Sequence, residues 1–95
     1  MNYEILEIDP AIQEMEDRMY FLYDERRAVR QEAQRLVDRA WERYLSKRKC
    51  KLWVPKPYDR IGSLSREETA LFDALMDEVY RLDCQIADLK LRLSR

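Results

Sequence analysis

Apolar side chains recur in alternating steps of three and four residues along two stretches of the chain: Ile12, Met15, Met19, Leu22, Val29, Ala33, Leu36 and Ala40, then Phe72, Leu75, Val79, Leu82, Ile86, Leu89 and Leu93. Steps averaging about 3.5 residues place one continuous stripe along an α-helix, the pattern of helices that pack in parallel or antiparallel register. A helix with one apolar stripe must cover it, so two such helices are expected to cover each other. Only Arg26 and Arg43 interrupt the first stripe, and nothing interrupts the second.

Local signals mark where the helices begin. In Asp9-Pro10 an Asp can cap the free N–H groups, and proline at the first helical position gives up a hydrogen bond that no residue there could make. Ser65-Arg66-Glu67-Glu68 has the spacing of a capping box. Between the helices lies KRKCKLWVPKPYDRIG, rich in cations and carrying two of the three prolines and the one glycine of the chain. The reading is a single domain over residues 1–95: a helix over 10–49, a basic aromatic loop over 50–64 and a helix over 65–94. The predicted fold is all-α, an antiparallel, coiled-coil-like two-helix hairpin that self-associates into a four-helix bundle or a larger helical oligomer, a homodimer being favoured.

Charge supports the antiparallel sense independently of the stripes. Residues 1–25 carry eight acids and Arg18, whereas residues 26–60 carry twelve bases and four acids. In the second helix the order is reversed, with five acids and one base over residues 66–80, then four bases and two acids over residues 81–95. Only the antiparallel pairing sets opposite signs beside each other, although each exposed ion pair contributes just about 0–1 kcal/mol. A connection of about fifteen residues favours facing residue numbers that add to about 115, pairing Ala40 with Leu75 and Val29 with Ile86; registers adding to 108 or 122 satisfy the same period. At 115, Ile12, Met15 and Met19 project beyond the second helix, and Arg26 meets no acid. Tyr20, Phe21, Tyr23, Val37, Trp41, Tyr44, Leu71, Met76 and Tyr80 fall off the stripes, which is the reason to expect self-association, unless residues 3–8 fold back over part of that surface.

Several chemistries are excluded by what the chain lacks. It has no histidine, the usual base and metal ligand, and its one glycine cannot build a phosphate-cradling loop. Two cysteines, Cys50 and Cys84, are too few for a structural zinc site and are expected as reduced thiols. Acid pairs such as Asp73 with Asp77 suit a solvated helix face better than a metal site. No enzyme activity, cofactor or metal is expected. The opening MNYEILEIDP lacks the cationic start and apolar core of a secretory signal, and no apolar run approaches the roughly 18 residues of a membrane span. A cytoplasmic protein without membrane contact is therefore expected.

Two surfaces remain as candidate sites. Acids and large apolar groups at the start of helix one, Glu14, Met15, Asp17, Met19, Tyr20 and Phe21, could dock on a basic groove of another protein. This is the leading expectation: a non-enzymatic interaction protein, a small inhibitor or adaptor, compact in the manner of stand-alone genes of viruses and mobile elements. The second surface is the loop, where Lys47, Arg48, Lys51, Trp53, Lys56, Tyr58 and Arg60 combine cations with rings held beside stiff prolines. Such a combination suits phosphates next to stackable bases, so the alternative is a binder of nucleotides or single-stranded nucleic acid. A plainer role for the loop is also open, with Trp53 capping the end of the core and the lysines reaching into water.

Overall fold

A computed structural model describes residues 9–50 and 53–94. Two helices, α1 (Pro10–Lys49) and α2 (Arg66–Leu93), pack as a hairpin, joined by a connection that contains a short 3-10 turn at Ile61–Ser63. Every start signal in the sequence is used. The Asp9 carboxylate accepts from the Ala11 N–H at 3.0 Å, with Pro10 in the first turn. At α2 the Ser65 hydroxyl accepts from the Glu68 N–H at 3.1 Å while the Glu68 carboxylate accepts from the Ser65 N–H at 2.9 Å, completing the capping box. Cations occupy both helix ends where the carbonyl dipoles are unpaired: Lys47, Arg48 and Lys49 on α1, Lys90 and Arg92 on α2. The molecule is a rod with principal extents of 78 × 24 × 17 Å.

The core runs along the two stripes. Leu22, Ala33, Leu36, Val37 and Ala40 are buried on α1, and Val79, Leu82, Ile86 and Leu89 on α2. Val37, off the narrow stripe, joins them because the buried band is wider than a strict heptad seam.

The register differs from the expected one by about a heptad. Leu22 packs in a cluster with Leu82, Ile86 and Leu89, and the ion-paired residues Arg26 with Asp83 and Arg43 with Glu68 have numbers adding to 109 and 111. Facing numbers therefore add to nearly 108, not 115. The reason lies in the connection, which is not a simple bend. Arg60 reaches back to within 3.9 Å of Asp38, its guanidinium stands 5.5 Å from the centre of the Trp41 ring, and Pro55, Pro57, Gly62 and Ser63 line a hollow with Ala40 and Tyr44. By running back along α1 the chain starts α2 beside Arg43, not beside the end of α1. Seven residues of shift correspond to about 10 Å of rise.

Three expectations change with that shift. Met15 and Met19 do not project free, for both are half-buried against the core cluster, whereas Ile12 stays exposed. Arg26, expected to lack an acid, donates to Asp83 at 2.6 Å. Arg43, which a sum of 115 sets level with Phe72, pairs with Glu68.

Glu68 serves two structures at once, the capping box and the bond to Arg43. The Arg43 guanidinium first, then the Ser65 backbone N–H, hold its pKa down from an ordinary 4.5 to about 2. A carboxyl with a lower pKa in the folded chain stabilises it fully above the unfolded value and loses that contribution as pH falls towards the folded value. The window here is pH 4.5 down to 2. Because the Arg43 side chain is nearly half exposed, the ion pair is worth no more than about 1 kcal/mol and the cap about as much again. A Glu68→Gln variant should therefore melt lower than wild type at pH 6 and converge with it near pH 2, as read by circular dichroism across that range.

Candidate functional site

The acidic start of α1 splits into two groups. Met15 and Met19 turn towards α2, and the shell they form is part of the core. Glu14, Asp17, Tyr20 and Phe21 stay exposed, with Asp17 accepting from the Gln13 side-chain amide at 2.9 Å. Phe21 is 62% exposed, on the opposite flank of α1 from Tyr20 and Tyr23 in the heptad frame. The carboxylates of Asp17 and Glu14 lie about one and two helical turns before it, on the outer surface. An apolar ring next to acids, uncovered by either helix, can enter a cationic, partly apolar recess of another macromolecule.

The loop is drawn apart in a similar way. Trp53 is 87% exposed, so it does not cap the core; it lines a surface hollow of about 240 Å³ together with Tyr44, Arg48, Val54 and Lys56. Tyr58 is fully exposed and takes no part in that hollow. Arg60, one of the loop cations named from the sequence, is turned back onto Trp41 and Asp38. Lys47 is exposed in the last turn of α1, and Lys51 lies outside the described residues. Of the seven loop residues singled out by sequence, the structure thus brings Arg48, Trp53 and Lys56 together.

A third surface escaped the sequence reading as a unit, although most of its members were noted singly. One flank of the hairpin carries Tyr20, Tyr23, Val37, Trp41 and Tyr44 from α1 and Met76 and Tyr80 from α2. A hollow of about 620 Å³ between Tyr20, Tyr23, Arg27, Arg30 and Gln34 continues past Arg30 and Gln34 into one of about 300 Å³ edged by Val37, Ile61, Phe72 and Met76. Tyr23 is held between two cations, with Arg26 at 5.1 Å and Lys90 at 5.5 Å from the ring centre, and Trp41 stands 5.2 Å from Tyr44. The signal was available in the heptad frame, since these residues fall on the positions flanking one edge of both stripes. On the other edge the large apolar side chains are Phe21 and Leu71, among Arg18, Glu25, Glu32, Arg35 and Arg39 on α1 and Glu78, Arg81, Gln85 and Arg92 on α2.

Among the described residues no three His, Cys, Asp or Glu side chains are placed to hold a metal ion, and no helix is long and apolar enough to cross a membrane. Cys50 and Cys84 are both exposed and unpaired with each other. Compared with protein-family models, curated proteins and solved structures, the chain matches none of them.

Proposed function

We propose that the protein is a non-enzymatic interaction protein, an inhibitor or adaptor that binds another macromolecule through the outer face of α1. The observation that supports this is the exposed Phe21 ring beside the carboxylates of Glu14 and Asp17, on a surface the hairpin leaves open. The ring supplies a desolvated anchor, and the acids orient it towards a basic partner and speed the encounter. Its partner is a protein with a cationic groove. A second reading, binding of nucleotides or single-stranded nucleic acid, is favoured by the exposed Trp53 ring flanked by Arg48 and Lys56.

The test pairs two variants. Glu14→Lys, Asp17→Lys, Phe21→Ala changes exposed groups alone and should keep the helical spectrum while weakening binding of the protein retained by wild type by tenfold or more. Trp53→Ala, Tyr58→Ala should leave that binding intact. The opposite outcome, together with Trp fluorescence quenched by oligonucleotides in a salt-dependent way, would move the function to the loop.

A further inference from the structure

The flank of Tyr20, Trp41, Met76 and Tyr80 is on the other side of the hairpin from Phe21, and its occupant can be inferred from charge and area. Tyr80 is 72% and Tyr20 65% exposed, with Ile61 and Met76 also open to solvent. We infer that a second copy of this chain covers this flank, the two hairpins lying antiparallel so that the basic loop of each sits beside the acidic start of α1 in the other.

Three observations lead there. First, the rod is a charge dipole. Residues 43–68, which form the loop end, carry eight bases and three acids, net +5; the opposite end, residues 9–25 with 83–95, carries four bases and eight acids, net −4; the middle, residues 26–42 with 69–82, balances at zero. Side by side in the same direction, two copies would set +5 against +5 across about 10 Å, close to one Debye length, where repulsion is still felt. Reversed, each end meets its opposite. Second, the area suffices. The 28 residues of α2 span about 42 Å, and with a rod 24 Å across the flank offers roughly 1000 Å² per copy, above the ~800 Å² each partner contributes to a standard interface. Third, the flank carries aromatic rings, Met and Arg, residue types enriched in interface cores.

A twofold axis across the middle of the flank, near residue 30 of α1, brings Tyr20 and Tyr23 of one copy level with Val37 and Trp41 of the other. It also sets Met76 level with Tyr80 of the other copy. The assembly is a four-helix bundle in which both Phe21 surfaces stay open, one at either end.

The native Cys50, exposed at the loop end, supplies the probe. In a Cys84→Ser chain spin-labelled at Cys50, the solution mass should be twice 11.6 kDa and the label–label distance about 60 Å, forty residues of helical rise. Met76→Glu, Tyr80→Glu should give a helical monomer without a dipolar signal, whereas Phe21→Glu should leave mass and distance unchanged. A monomer at about 100 micromolar in the labelled parent overturns the inference. So does a dimer whose labels lie within about 30 Å, which requires the parallel arrangement, and so does a dimer broken by Phe21→Glu and indifferent to the Met76 and Tyr80 changes. Binding through Phe21 is read separately in the preceding test, so each proposal can fail alone.

Discussion

Replacing Ile86 with alanine is expected to lower the unfolding free energy of the hairpin by about 2–5 kcal/mol, the range for buried large-to-small changes. Ile86 is 3% exposed and belongs to a core cluster with Leu22, Leu82 and Leu89. In the observed register it faces Leu22, so its truncation removes the side chain that fills the centre of that layer. For a domain of this size total stability is on the order of 5–15 kcal/mol, so a change of this kind removes a large fraction of it. Urea titration followed by helical ellipticity measures the loss. Leu71→Ala on the same helix is the control: Leu71 is half exposed, and its truncation should stay within about 0.5 kcal/mol of wild type.

The helices were legible in the sequence because their signals are local. Asp9-Pro10 and Ser65 to Glu68 state the starts in four residues or fewer, and the stripes state which face is buried. Antiparallel order was legible too, since it follows from the reversal of charge along each helix. The register was not, because heptads alone allow shifts by seven, and what selects among them is the path of the connection. Even there a local clue existed: Asp59 and Gly62 have the spacing of a turn, and in the structure the Asp59 carboxylate accepts from the Gly62 N–H at 2.8 Å. A turn at that point, followed at once by Ser63 and the capping box, lets the chain fold back along α1 before α2 begins. Of the candidate sites, the sequence named the residues but not their grouping. Met15 and Met19 share a stripe that the shifted register covers, and Arg60 is removed from the loop's surplus of cations by Asp38, which no spacing rule connects to it.

Ala40→Leu tests that account of the connection directly. In the expected register Ala40 faced Leu75 across a helix pair, where a modest enlargement could be absorbed by rotation of two flexible side chains. In the structure Ala40 has no exposed surface, and it lies beneath the returning connection in a layer with Arg43, Tyr44, Pro55, Pro57, Gly62 and Ser63. Two prolines fix the backbone above it, and Gly62 approaches so closely that a Cβ there would stand 3.1 Å from the Pro57 Cβ. Three added carbons at residue 40 must share the hollow that Ala40 lines with Pro55, Pro57, Gly62 and Ser63, and press on that proline-stiffened backbone once it is filled. The expected cost is about 1–3 kcal/mol, concentrated on the loop. Amide exchange at Gly62 and Leu64, whose N–H groups bond to Asp59 and Ile61, should accelerate by more than the change in global stability explains, while exchange around Leu82 and Ile86 follows global unfolding. Equal acceleration at both places would mean that the connection does not lie on Ala40, and the physical reason given for the register would be lost with it.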